Sequence, residues 1–149
     1  MNAKRAMEIL LIEDNANDVR LISETFRKGN LPYNLHVMAD GVEALAFLRK
    51  QKPHAAAPRP DLIVLDLKLP KKDGREVLAE IKSAPELKRI PVVVLTVSEA
   101  EEEVFRAYGL HANCFITKPV NVEKFIEVVN RIEHFWFSIA MLPTRTSAL

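Results

Sequence analysis

Five polar residues stand where runs of aliphatic residues stop, and together they have the chemistry of a phosphoryl-transfer pocket. Ile9-Leu-Leu-Ile12 ends in Glu13-Asp14, Leu62-Ile-Val-Leu65 in Asp66, Val92-Val-Val-Leu95 in Thr96, and Cys114-Phe-Ile-Thr117 in Lys118-Pro119. If the runs are strands of one open α/β sheet, their carboxyl ends form the rim at which such sheets bind ligands. Three carboxylates would then meet there, with a hydroxyl and an ammonium opposite them. At ~4 Å and an effective dielectric of ~20, each like-charge pair costs about 4 kcal/mol, so a cation has to offset the repulsion. Hard carboxylate oxygens with positions left for water and phosphate suit Mg²⁺, for which Mn²⁺ can substitute. Given that charge, Asp66 can act as a nucleophile toward phosphorus, since carboxylates form covalent phospho-intermediates. Lys118 would pair with one phosphoryl oxygen, and Thr96 would donate a hydrogen bond to another. Taken singly, each element is weak, because acids at strand ends are more often solvated loop or cap residues. Their joint order and spacing carry the signal.

The elements that must position these groups alternate along the chain. Glu8–Ile12, Asn34–Met38, Leu62–Leu65, Pro91–Thr96 and Cys114–Thr117 read as strands. Three of the runs are almost wholly aliphatic, as in parallel strands covered on both faces by helices. Between them, 17–27 and 42–48 carry apolar residues at helical spacing, as do 74–81 and 99–108, and a fifth helix begins after Pro119. The segment QKPHAAAPRP over 51–60 holds three prolines and reads as a surface loop. This is a doubly wound α/β pattern with a five-stranded parallel sheet.

Length and charge narrow the function further. At 149 residues and 48% hydrophobic content, the chain fits one domain with a sizeable core. Its 21 basic and 20 acidic side chains nearly cancel, so no single-signed field favours nucleic acid or an acidic membrane. The lone cysteine, Cys114, excludes an internal disulfide and fits a cytoplasmic location. The apolar run near the N-terminus stops at Glu13-Asp14, too short for a signal or membrane segment. We expect a single domain over 1–149, with a core of about 7–130, a longer last helix and tail, and no output domain.

The stretches IEDN, DLIVLDLKLPKKDG, PVVVLTV and FITKP resemble the receiver domains of two-component response regulators over roughly 7–130. LPKKDGREVLAEIK and EHFWFSIAMLP look more narrowly like the small single-domain regulators that partner phytochrome-type histidine kinases. The resemblance implies a flavodoxin-like (βα)5 fold with strand order 2-1-3-4-5. It also implies that Asp66 takes a phosphoryl group from a sensor kinase phosphohistidine. Asp14 would bind Mg²⁺ directly, Glu13 through water, and Asp66 and the backbone carbonyl of Lys68 would complete the protein ligands. Thr96 and Phe115 would form the switch, Phe115 standing where the family often has tyrosine. Lys118-Pro119 would be a cis bond, and Lys68 with Val97 would restrict water and prolong the phosphoryl state. The protein would then be a phosphoacceptor that assists its own phosphotransfer and dephosphorylation rather than an enzyme, and it could pass the group to a downstream phosphotransfer protein.

Residues 122–139 have an apolar arc of about 200° on a helical wheel, wider than the ~100° that covering one sheet face needs. Val128, Phe135, Trp136 and Ile139 on this helix are therefore expected at a homodimer interface. Two rival readings of the pocket stay open. A phosphatase or mutase using an aspartyl phosphate usually has a second acid two residues after the nucleophile, where this chain has Lys68. A degenerate receiver acting only as a binding module would not need all five site residues.

Overall fold

Aliphatic runs without polar alternation can only be strands buried on both faces, and the computed structural model shows how they are buried. It describes residues 6–28, 32–96, 114–118, 121, 123–128 and 130–131. The elements are β1 (Met7–Ile12), α1 (Ala16–Arg27), β2 (Tyr33–Met38), α2 (Gly41–Leu48), β3 (Leu62–Asp66), α3 (Gly74–Ser83), β4 (Val92–Thr96) and β5 (Cys114–Thr117). Residues 123–128 and 130–131 are also helical. The helix expected over 99–108 lies outside the described residues.

All four strand pairings are parallel and the order is β2-β1-β3-β4-β5, as the resemblance implies. Because side chains alternate across a strand, each central strand serves two cores. Leu10 and Ile12 of β1, Ile63 and Leu65 of β3, and Val92 and Val94 of β4 pack against α2 and α3. Ile9, Leu11, Leu62, Val64, Val93 and Leu95 face the other way, toward Ile22 and Phe26 of α1 and toward Phe125. Phe125 and Phe26 meet edge to face with centroids 5.9 Å apart. In β2, at the sheet edge, no residue is fully buried.

Several boundaries differ from the sequence expectation by a residue or two. β1 and β2 each begin one residue earlier, at Met7 and Tyr33, which pair with each other. Asp66 is the last residue of β3 rather than the first of the loop, which matters for the site. The loop over 51–60 runs outside the sheet as expected, with Pro60 alone among its residues buried. Lys52-Pro53 is a cis bond, whereas the expected cis bond at Lys118-Pro119 lies outside the described residues.

The chain order reverses at β1. From this strand β2 lies to one side and β3 to the other, so the carboxyl ends of β1 and β3 flank the switch point where such sheets place their ligands.

Candidate functional site

Glu13, Asp14 and Asp66 meet at that switch point, with one carboxylate oxygen from each lying within 4.8 Å of the others. Glu13 follows β1 directly, and its N–H donates to the Met38 carbonyl at 3.0 Å. Its Oε2 accepts from the Asn15 N–H at 3.1 Å. Asn15 also caps α1, its Oδ1 accepting from the Asp18 N–H at 3.0 Å. One residue therefore ties the end of β1 to the first turn of α1.

Asp66 is buried, and both of its carboxylate oxygens are engaged. Oδ1 accepts from the Lys68 N–H at 3.1 Å and Oδ2 from Lys118 Nζ at 3.2 Å. The next residue is still held to the sheet, since the Leu67 N–H donates to the Leu95 carbonyl at 3.0 Å. The loop then turns back to α3, with the Gly74 N–H on the Leu67 carbonyl at 2.8 Å. A side chain at Gly74 would collide with the backbone of Asp66 and Leu67, so glycine is what lets α3 start directly behind Asp66.

Lys118 supplies the positive charge. Its Nζ lies 2.8 Å from Glu13 Oε1, 2.9 Å from Asp18 Oδ2 and 3.2 Å from Asp66 Oδ2. Burial pulls its pKa down, but pairing with Glu13, Asp18 and Asp66 outweighs that and holds it above the ordinary lysine value. Glu13 goes the other way. Burial first, then hydrogen bonding and charge repulsion from Asp66, raise its carboxyl to about 7 against the pull of Lys118 and the Asn15 N–H. Although Lys118 Nζ is close to Glu13 Oε1, it is not aligned to hydrogen-bond it, and that buried oxygen lacks a donor.

The structure thus brings together Glu13, Asp14, Asp66 and Lys118. Thr96 ends β4, in register with Thr117, the residue before Lys118, which puts its backbone at the same rim. Phe115 packs, partly buried, against the core cluster shared with α2 and α3. The side chain of Lys68 is exposed, while Val97 lies outside the described residues. Asp18 was not expected from the sequence. The signal for it was an acid in the first turn of a helix, which ordinarily reads as a cap residue. Val128, expected at a dimer interface, is partly buried and packs against the cluster that contains Phe125. Phe135, Trp136 and Ile139 lie outside the described residues.

Residues 9–130 match the response regulator receiver domain family. The chain belongs to that family. This receiver domain is 50% identical over 135 residues to response regulator Rcp1 of Synechocystis sp., covering 91% of this chain and 92% of Rcp1. The phosphorylated cyanobacterial phytochrome response regulator RcpA is similar in structure, with a TM-score of 0.80 at 53% identity over 93% of this chain and 99% of RcpA. The Mn²⁺-bound form of Rcp1 has a TM-score of 0.78 at 51% identity, covering 87% and 94% of the two chains. The receiver domain acts in phosphorelay signalling, and its Glu13, Asp14 and Asp66 carboxylates are grouped closely enough to hold a divalent cation.

The residues present fit such an ion. The donors are all hard oxygens, Glu13 Oε1 is buried without a hydrogen-bond donor, and one ammonium faces three carboxylates, Glu13, Asp18 and Asp66, while Asp14 adds a further negative charge beside Glu13 and Asp66. Asp14 is exposed and open to a hydrated ion. Among the described residues no helix is long and apolar enough to cross a membrane.

Proposed function

We propose that this receiver takes a phosphoryl group onto Asp66 from the phosphohistidine of a sensor kinase of the phytochrome type, in the cytoplasm, and that it turns over no external substrate. The observation that carries this reading is the setting of Asp66. It is a buried carboxylate at the end of a central strand, fixed through Oδ1 by the Lys68 N–H and through Oδ2 by Lys118. Asp14, Glu13, Asp66 and the Lys68 carbonyl would hold Mg²⁺, which supplies charge neutralisation for the incoming phosphoryl group. The chain's own residues do the rest. β3 and β4 hold the Asp66 carboxylate still, Lys118 meets the developing charge on a phosphoryl oxygen, and the Thr96 hydroxyl donates to another. The phosphoryl bond to the donor nitrogen breaks as the bond to the Asp66 oxygen forms, and the displaced nitrogen keeps the electron pair.

Thr96 and Phe115 would read out the modification as a two-state element biased by new charge. The output we propose is self-association through Phe135, Trp136 and Ile139, or onward transfer to a phosphotransfer protein. The likeness to RcpA and Rcp1 supports the phytochrome-class partner. Lys68, where an aspartyl-phosphate phosphatase or mutase usually has its second acid, weighs against that enzyme reading.

The test is incubation with acetyl phosphate and Mg²⁺, followed by intact-mass measurement. One phosphoryl group should appear on the wild type and be lost in Asp66→Asn. Absence of an adduct on the wild type would overturn the proposal, as would rapid turnover of phosphate esters. Sedimentation of the wild type beside a Phe135→Ala/Trp136→Ala variant checks the association, and equal monomeric behaviour would refute it.

A further inference from the structure

Asp18 is an acid at the rim that lies outside the cluster of possible metal ligands. The three carboxylates that could hold a cation are Glu13, Asp14 and Asp66. Asp18 stands outside that group, yet its Oδ2 is 2.9 Å from Lys118 Nζ, nearer than the acceptor's own oxygen at 3.2 Å. It is also well held. The Asn15 cap fixes the Asp18 N–H at 3.0 Å, and the Asn15 N–H bonds Glu13 Oε2 at 3.1 Å. One asparagine thus ties the Glu13 carboxylate to the Asp18 backbone at the start of α1.

Among its three carboxylate neighbours, the aligned hydrogen bond that Lys118 makes runs to Asp66 Oδ2. A lysine ammonium is a point charge on a four-carbon stem with much rotamer freedom. Left to itself it would cost entropy to hold over one oxygen. Glu13 and Asp18 reduce that freedom from the α1 side, and the Lys118 side chain is only 10% exposed as a result of this packing. From this geometry we infer that Asp18 is a positioning residue for the phosphoryl transfer, acting through Lys118 by fixing where its ammonium stands relative to Asp66.

This rests on the reading of Asp66 as phosphoacceptor. Asp18 stands outside the cation-binding group, and its carboxylate reaches the site through Lys118 Nζ. Preorganised charge is effective in a site because it needs no rearrangement at the moment of reaction. Asp18 supplies that preorganisation from a helix, a more exact support than a loop.

The experiment is phosphorylation by acetyl phosphate at saturating Mg²⁺, comparing wild type, Asp18→Ala, Asp18→Asn, Lys118→Ala and the Asp18→Ala/Lys118→Ala double variant. Asp18→Ala should slow phosphorylation about tenfold, short of the ~10²-fold cost of removing a charge-stabilising donor outright. Asp18→Asn, which keeps an acceptor oxygen, should fall between. In the Lys118→Ala background, Asp18→Ala should change nothing further, whereas a purely structural role would slow both backgrounds alike. The ¹⁵N-detected ammonium signal of Lys118 should exchange faster with water in Asp18→Ala, a readout independent of turnover. Equal rates and equal ammonium exchange in wild type and Asp18→Ala would overturn the inference. A wild type that takes no phosphoryl group on Asp66 would instead overturn the acceptor reading beneath it.

Discussion

Replacing Gly74 with alanine tests how tightly the acceptor strand is wedged. Two effects oppose each other. Gly74 opens α3 with an ordinary negative φ, so alanine meets no conformational barrier and gains up to about 1 kcal/mol of helix propensity. Its Cβ, however, would stand 2.5 Å from the Asp66 carbonyl oxygen, 2.5 Å from Leu67 Cα and 2.7 Å from the Leu67 oxygen. Carbon contacts sit best at ~3.5–4.0 Å, so the two backbones must part by roughly 1 Å. None of the three obstructing atoms belongs to a flexible side chain.

Overpacking of this kind costs about 1–3 kcal/mol, and the bond from the Gly74 N–H to the Leu67 carbonyl, 2.8 Å long, is weakened with it, adding about 1 kcal/mol. Steric cost therefore exceeds propensity gain, and we expect a net loss of about 1–3 kcal/mol in urea unfolding. The displacement falls on Asp66, so phosphorylation by acetyl phosphate should slow up to ~10²-fold, the scale of a 1 Å misplacement at a reacting group. A variant within about 0.5 kcal/mol of wild type and phosphorylated at the same rate would refute the wedge.

Three further outcomes follow from single contacts. Because burial raises Glu13 to about 7, folding favours its protonated form, and its ionisation takes stability away as pH rises from the unfolded carboxyl range through about 7. A cation binds only the ionised carboxylate, so Mg²⁺ should raise Tm more at about pH 8 than at about pH 5.5, and equal shifts in differential scanning fluorimetry would count against the site. Lys71 holds φ 68°, and its ion pair with Asp40 at 3.4 Å involves a largely exposed ammonium worth little. Lys71→Gly should therefore stabilise by about 0.5–1 kcal/mol, measured as a higher urea midpoint. Phe125→Ala removes a ring with no exposed surface, seated edge to face on Phe26, and should cost about 3–5 kcal/mol by the same unfolding assay.

The strands were legible because a run such as Leu62-Ile-Val-Leu65 has no polar face to turn to water, and burial on both sides follows at once. The acid pair, Asp66 and Lys118 were legible for a related reason: a polar residue that ends a buried strand must lie at the rim. Asp18 was not, because its function depends on an ammonium one hundred residues further along the chain, and its own position looks like an ordinary helix start. Nor could periodicity reveal the close approaches at Gly41 and Gly74, although each follows an aspartate that begins a helix, and a Cβ at Gly41 would meet the Lys72 carbonyl at 2.4 Å. Val128 packs, partly buried, against the cluster with Phe125, while Phe135, Trp136 and Ile139, the rest of the expected dimer surface, lie outside the described residues.

Asp66 lies in the strand rather than the loop, and this reconciles an unfavourable pocket with a stable domain. Three carboxylates around one ammonium, with Asp14 beside two of them, repel one another, and a loop carrying Asp66 would relax to spread them. Here relaxation is blocked. Asp66 pairs in register with Leu95, and Leu67 is bonded to the Leu95 carbonyl at 3.0 Å. Glu13 is tied to Met38 and Asn15. The aliphatic cores on both faces of the sheet supply the free energy that keeps these groups together, and the excess negative charge they enforce attracts a divalent cation, whose charge in turn offsets that of a phosphoryl group. Sensitivity to those two ligands is therefore greatest where the backbone is least able to yield.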